Sequence, residues 1–384
     1  MCNTALGEFC KTHDNWRELL TEAPYYLKIT EDSSFVMFKY NQISSDFNQQ
    51  IVREARGIIF ELSEWKQPVC WAFNKFGNYG ESYAPELDWS TAFVSEKIDG
   101  SLIKVWWDWI GGWHISTNGT IDAYKAELSD IRFKSYGDYF EDTLNKYYGS
   151  FDDFVENLDV DITYLFELVG PYNRVVIPYE DSKIYFLGAR NKFDGKEYYC
   201  TNLAAKTLSV DKFDLPTQYP LTSINDCINL AAVFDWEKEG FVAVDAAGNR
   251  VKIKSPAYVK AHFARNNNVI TRKHLINIVI NNEVEEFLCY ASDYEAQIDA
   301  IKTLITNYYI IAEWCIKVCQ EAKKLPKNEY AALVKTFPEI FQGLLFMNYN
   351  REVSVREFTA SWTENKWDEY LTELEKLKET FKLW

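Results

Sequence analysis

The stretch Val94 to Trp107, VSEKIDGSLIKVWW, places one lysine, Lys97, between Glu96 and Asp99 and just ahead of Gly100. A free lysine amine has a pKa of about 10.4 and is a poor nucleophile until desolvation or neighbouring cations expose its lone pair. In a strand Asp99 projects on the side of Lys97 and Glu96 on the other, while Gly100 permits a tight turn and close approach of a ligand to backbone. Alone, the pattern equally describes a solvated turn lysine. More charge recurs at strand-like positions. Glu167 interrupts the apolar run YLFELV and is followed by Asn173 and Arg174; Glu239 opens EGFVAVD; Lys252 and Lys254 alternate with Val251 and Ile253 in RVKIKSPAY. Each has a plain reading as a sheet edge, a turn or a solvated strand face. Together they form a kit for moving a phosphorus-containing group. It holds an amine nucleophile, carboxylates for a hard cation such as Mg²⁺, and same-face lysines that neutralise developing phosphate charge. Arg56 adds a planar fork suited to phosphate, with a structural salt bridge as its alternative.

The elements that must position these groups are mostly short strands. Ser34–Tyr40, Arg56–Leu62 and Ser101–Trp107 carry the β-branched and aromatic enrichment of half-buried strands. WHIST after Gly111-Gly112 predicts a hairpin, as does VAVD-AAGN-RVKIK; further strands are expected at DITYLFELV and KIYFLGAR. Helices are expected over Ala123–Tyr148, with a break at Gly137, and near Asn202–Val210. Past KSPAYVKAHF the period becomes helical: Phe287, Tyr290, Ala291, Tyr294, Ile298, Ile301, Ile305, Tyr308, Ala312, Cys315 and Cys319 trace one apolar face. Further helices are expected over Asn328–Phe346, interrupted at Pro338, and in the last twenty or so residues. The class is therefore α+β, with an antiparallel-sheet domain over residues 1–260 and an all-helical domain over 261–384.

The 384 residues are 47% hydrophobic and 16% aromatic, a composition that can build a substantial core. No apolar run reaches the ~20 residues needed to cross a bilayer, and the termini show no signal peptide, so a cytoplasmic location, or host cytoplasm for a viral protein, is expected. Eight cysteines include no C-x-x-C pair, which favours buried thiols over a zinc site. The net charge of −16 excludes indiscriminate coating of nucleic acid, so a polyanion must meet a local basic patch. Lys260, His262, Arg265, Arg272, Lys273 and His274 are one candidate, with solvation of a helix as the alternative. Trp106, Trp107 and Trp109 suit core packing better than base stacking.

These segments, in this order, resemble an ATP-dependent RNA ligase of the phage RNA ligase 1 type, within the covalent nucleotidyltransferase superfamily. KIDGS is similar to motif I, FELVGPYNRVV to motif III, EGFVAV to motif IV and VKIKSPAY to motif V, with EARGIIFE and NKF upstream. The resemblance spans about Tyr40 to Tyr258 and implies an antiparallel, ATP-grasp-like nucleotidyltransferase domain. It implies that Lys97 attacks the α-phosphorus of ATP and carries AMP, with Asp99 near the ribose and reactive centre. Glu167 and Glu239 would serve nucleotide and metal, Mg²⁺ or Mn²⁺, and Lys252 and Lys254 would neutralise the reacting phosphate. Arg56 and Lys75 would handle phosphate and ribose, and Tyr40, Gly100 and Tyr258 complete the nucleotide site. The implied substrate is RNA with 5′-phosphate and 3′-hydroxyl ends, tRNA broken in its anticodon loop included. A separate end-healing kinase or phosphatase would be a partner, and no membrane is involved. The helical C-terminal half departs from the β-rich domain that usually follows motif V in DNA ligases and capping enzymes. Those enzymes, and an inactive RNA-binding relative, remain the alternatives. Two positions depart from the family pattern. Asn118 stands where a lysine is frequent, and Gly77 where a second aromatic is frequent.

Overall fold

A computed structural model describes residues 4–62, 65, 67–264 and 270–381. The chain divides into two compact units, one ending at His262 and one beginning at Phe263.

The first unit is built on three sheets. Its strands are β1 Lys28–Glu31, β2 Phe35–Lys39, β3 Arg56–Glu61, β4 Phe93–Glu96, β5 Ser101–Trp107, β6 Trp113–Thr117, β7 Ile162–Val169, β8 Lys183–Asn191, β9 Glu197–Tyr199, β10 Gln218–Tyr219, β11 Gly240–Val244 and β12 Arg250–Lys254. The sheet orders are β1-β2-β3, β10-β4-β11-β12 and β6-β5-β7-β8-β9. Every pairing is antiparallel.

Alternation along the strands separates core from site. On β5, Ile103 and Val105 enter a core with Tyr139, Phe140 and Leu144 of the helix Tyr136–Tyr147 and with Phe166 and Leu168 of β7. Burying such an aromatic stabilises the fold by roughly 2 kcal/mol. The intervening Leu102, Lys104 and Trp106 project from the opposite face, where Trp106 packs with Phe35, Met37 and Ile59. On β7, Glu167 lies between Phe166 and Leu168 and so shares the opposite face with Leu165. Leu165 packs against Ala72 and Phe73, with Leu102 and Leu187 alongside. That second face is the wall of the site.

The helix expected over Ala123–Tyr148 is shorter. A 3₁₀ turn covers Ala123–Lys125 and the α-helix begins at Tyr136. The Ser135 hydroxyl accepts from the Asp138 amide at 3.0 Å, an N-cap contributing about 1 kcal/mol. Gly137 therefore lies in the first turn, close to the Tyr124 ring, and breaks nothing. The helix expected near Asn202–Val210 spans Asn202–Thr207.

Among its described residues the second unit holds helices and no strand. Its longest helix, Glu295–Cys319, buries Ile298, Ile301, Tyr308, Ala312, Cys315 and Cys319. Tyr308 stacks on Phe341 at 5.3 Å between ring centroids and meets Trp362 and Trp367. Pro338 caps the helix Glu339–Asn350, separating it from Lys327–Val334. Among the described residues no helix is long and apolar enough to cross a membrane.

Candidate active site

Lys97 follows the last residue of β4, and its backbone is pinned on both sides. The Glu96 amide donates to Thr217 O at 2.7 Å and the Lys97 amide to Gly240 O at 2.9 Å. The side chain then points to Glu239, donating from Nζ to Oε2 at 2.7 Å. The other carboxylate oxygen of Glu239 faces Lys254 Nζ at 3.5 Å. Glu239 is held in turn by a backbone hydrogen bond, the Ser255 amide donating to its carbonyl at 2.7 Å. One buried carboxylate thus bridges two ammonium groups that lie 142 and 15 residues away, because β11 pairs with both β4 and β12.

A cavity of about 350 Å³ is lined by both of these lysines. Arg56, Lys97, Gly100, Glu167, Lys252 and Lys254 all line it, with Phe73, Phe76, Phe93 and Tyr199 as aromatic walls. Gly100 is required here by packing. A Cβ would collide with Leu168 O, with Val169, and with Glu167 Cγ at 3.0 Å. Burial raises the Glu167 carboxyl to about 8; Lys97 and Arg56 oppose the rise, and Glu239 and Asp99 reinforce it. Burial also lowers the Arg56 guanidinium, against the pull of Tyr40 and Glu167. Its plane lies 5.2 Å from the Phe76 ring centre.

Five expected site residues are not among those lining the cavity: Glu239, buried and bonded to two lysines that do line it, and Asp99, Tyr258, Lys75 and Tyr40. Asp99 is buried, and its Oδ2 accepts from the amides of Val176 and Ile177 at 2.9 and 2.8 Å. Its Oδ1 accepts from the Tyr258 hydroxyl at 2.7 Å. Asp99 and Tyr258 therefore clamp the loop after β7 to the helix Pro256–Ala264 behind Lys97; neither is among the residues lining the cavity. The sequence shows Asp99's charge but not the amides that satisfy it. Lys75 lines a neighbouring cleft, its Nζ 5.4 Å from the Tyr40 ring centre and 5.2 Å from that of Phe47. Tyr40 packs in the N-terminal core.

The departures from the family pattern also resolve physically. A Cβ on Gly77 would lie 3.0 to 3.3 Å from the side chains of Glu81, Tyr83 and Ala84, so a larger residue requires them to shift; the adjacent Phe76 supplies the cavity's aromatic surface. Asn118 lines the cavity with its Oδ1 buried and, among the described residues, without a hydrogen-bond partner. Close behind it lies Lys104, fully buried, whose ammonium donates to Gly57 O. A Cβ placed on Gly57 would be 2.8 Å from Lys104 Nζ and 3.2 Å from Asn118 Oδ1. Burial depresses the Lys104 ammonium below its ordinary range. Sequence reasoning missed Lys104 because a lysine in an apolar strand reads as an outward-facing one. It also missed Arg250, although Arg250, Lys252 and Lys254 share one face of β12 and all three line the cavity.

The basic stretch near residue 270 is not a free patch. Arg272 pairs with Glu375 at 2.8 Å and Asp368 at 3.2 Å. Lys273 donates to Asn365 at 2.8 Å, and His274 closes a capping box with Thr271. These contacts fasten helices of the second unit. Arg265 lies outside the described residues. Trp106 is core, donating to Ser116 Oγ at 3.0 Å.

Among the described residues no group of three or more His, Cys, Asp or Glu side chains is placed to hold a metal. Glu239 and Glu167 still fit a hard cation that arrives with a nucleotide, since Mg²⁺ is typically held by one or two carboxylates plus phosphate and water oxygens.

A lysine, a bridging glutamate and paired cations over a nucleotide-sized cavity between antiparallel sheets define a member of the covalent nucleotidyltransferase superfamily. The RNA ligase family profile matches residues 54–258, and the chain belongs to that family. It is 29% identical over 331 residues to a protein of Autographa californica nuclear polyhedrosis virus assigned as a bifunctional polynucleotide kinase/RNA ligase. The match covers 81% of this chain but 45% of that relative, so the chain spans less than half the viral protein's length. It is 26% identical over 316 residues to an RNA ligase of Rhodothermus phage RM378, covering 67% of this chain and 70% of the phage protein. Among solved structures, an archaeal ATP-dependent RNA ligase superposes with a TM-score of 0.45 at 12% identity, covering 74% of this chain and 73% of the archaeal one.

Proposed function

We propose that the protein is an ATP-dependent RNA ligase that joins a 5′-phosphate to a 3′-hydroxyl. The observation that carries the reading is the bridge of Lys97 and Lys254, both lining the cavity, through the buried Glu239. An ammonium in an ion pair has no free lone pair, so Lys97 is held in a resting state. Phosphates entering beside Lys252 and Lys254 would compete with Glu239 for cations and loosen that pair. Lys97, whose side chain is 23% exposed, passes its proton to solvent and attacks the α-phosphorus; the bond to pyrophosphate breaks, and AMP remains on nitrogen. The RNA 5′-phosphate then takes AMP from Lys97, and a 3′-hydroxyl displaces AMP to close the strand. Arg56, Lys252 and Lys254 meet the charge that develops on phosphate oxygens, where pre-placed cations contribute most. Glu239 and Glu167 would hold Mg²⁺ or Mn²⁺, which when bound adds positive charge beside the phosphates. The aromatic walls Phe73, Phe76, Phe93 and Tyr199 suit a purine.

tRNA broken in its anticodon loop is a substrate consistent with this chemistry, with a kinase or phosphatase preparing its ends. The competing reading is a DNA ligase or GTP-using capping enzyme. The all-helical second unit favours RNA ligation over these, because the β-rich domain that usually accompanies them is not found among the described residues. Incubation with α-labelled ATP or GTP, followed by denaturing electrophoresis, separates the readings. Covalent label from ATP, lost in Lys97→Ala and chased by 5′-phosphorylated RNA, is expected. Label from GTP alone would overturn the assignment.

A further inference from the structure

Beside the nucleotide cavity lies a second cleft, of about 840 Å³, which shares Phe76, Tyr199 and Arg250 with it. Its charge runs against that of the protein. Arg53, Lys75, Arg190, Lys196 and Arg250 line it against a single carboxylate, Glu197, in a chain of net charge −16. Glu197 is already bracketed by Arg250 at 2.8 Å and Arg190 at 3.5 Å. The cations are spread over separate elements: Arg53 on the helix Gln50–Glu54, Lys75 on the segment before β4, Lys196 in the β8–β9 turn and Arg250 on β12. The Lys75 amide donates to Arg53 O at 2.7 Å, which holds two of them side by side.

We propose that this cleft binds the sugar-phosphate backbone of the single-stranded RNA whose end is sealed, a proposal that rests on the ligase reading above. Distributed cations match a chain of phosphates better than one anion, and the cleft is more than twice the volume of the nucleotide cavity. Phe76, Tyr83 and Tyr199 stand among the cations as faces on which unpaired bases stack, which an acidic protein segment would not need. Continuity through Phe76, Tyr199 and Arg250 lets a strand lying in the cleft end at the nucleotide.

Lys196 and Gln50 line the cleft, are exposed and lie outside the nucleotide cavity. Gln50 Nε2 donates to Glu54 Oε1 at 2.9 Å, and Gln50→Glu sets a second carboxylate beside Glu54, so Lys196→Glu alone is assayed alongside and urea denaturation checks that each variant keeps its fold. The doubly substituted protein, Lys196→Glu with Gln50→Glu, should take AMP from ATP at the wild-type rate. Its KM for sealing chemically pre-adenylated single-stranded RNA should rise about tenfold at low salt. The logarithmic salt dependence should become shallower by about 0.7 for each phosphate that the protein no longer neutralises. Gln50→Lys should lower the same KM. Wild-type sealing KM and salt slope in both variants, with labelling intact, would overturn the proposal. So would polyglutamate displacing RNA as effectively as unlabelled RNA of equal charge, which would mark the cleft as a protein-binding one. If the wild type takes no label from any nucleotide, the ligase reading fails instead. Direct RNA binding by the three proteins then decides the cleft on its own, equal affinities counting against it.

Discussion

The Tyr258 hydroxyl donates to Asp99 Oδ1 at 2.7 Å, and the two residues are 159 positions apart. The bond ties the helix after β12 to the loop after β7 through a carboxylate two residues from Lys97. It makes Asp99 a part of the frame that aims the amine.

Tyr258→Phe should therefore slow enzyme adenylation severalfold and lower stability by about 1 kcal/mol, since a hydrogen bond to a charged group is removed while two amides still hold Asp99. Asp99→Ala removes all three of these hydrogen bonds and should cost more on both measures. Labelling time courses beside urea denaturation test this. Unchanged values in Asp99→Ala would show that the clamp is dispensable.

Glu239→Gln breaks both ion pairs while keeping the side chain's shape. The expected result is an adenylation rate lowered on the order of 10²-fold, with a higher magnesium concentration for half-maximal labelling. A magnesium titration identical to wild type would remove Glu239 from any role in holding the ion or its phosphates.

Asn118→Lys should slow labelling about tenfold, because the new ammonium would crowd Lys104 in a place with little solvent. In a Lys104→Met background the same change should raise the rate above that of Lys104→Met alone. Comparing the four proteins reads the coupling. A faster single Asn118→Lys enzyme would show that the two positions act independently.

Lys192 gives a pH signature away from the site. It is fully buried, donates to Trp107 O at 2.9 Å, and burial lowers it from 10.5 to about 8. Below pH 8 both folded and unfolded chains carry the proton, and the folded one bears the desolvation cost. Between about 8 and 10.5 the unfolded chain binds more protons, so folding stability gains with rising pH, by roughly 3 kcal/mol in all. Urea unfolding across that range should show wild type gaining on Lys192→Met. A constant difference would contradict the shift.

The strands were legible where their patterning is strong: on β12 the buried Val251 and Ile253 alternate with lysines, while β5 is a largely apolar run buried on both faces from Ile103 to Trp106. The helical half was legible for the same reason at the longer period. The start of the helix at Tyr136 was not, because a single serine cap outweighs a continuous propensity pattern. The bridge of Glu239 to Lys97 depends on strand pairing across 142 residues, which spacing alone does not encode; only the resemblance pointed there. Arg250 was within reach of the reasoning that found Lys252 and Lys254. Arg272 and Lys273 read as candidates for a basic patch because their carboxylate and amide partners lie about a hundred residues further on.

The most direct test of the account is to find where the nucleotide goes. Wild-type protein incubated with ATP and magnesium, digested and sequenced by mass spectrometry under mild conditions, should carry AMP on the peptide containing Lys97 and on no other. Adenylate on Lys104, Lys252 or Lys254 would contradict it, as would a Lys97→Ala protein labelled to the wild-type extent.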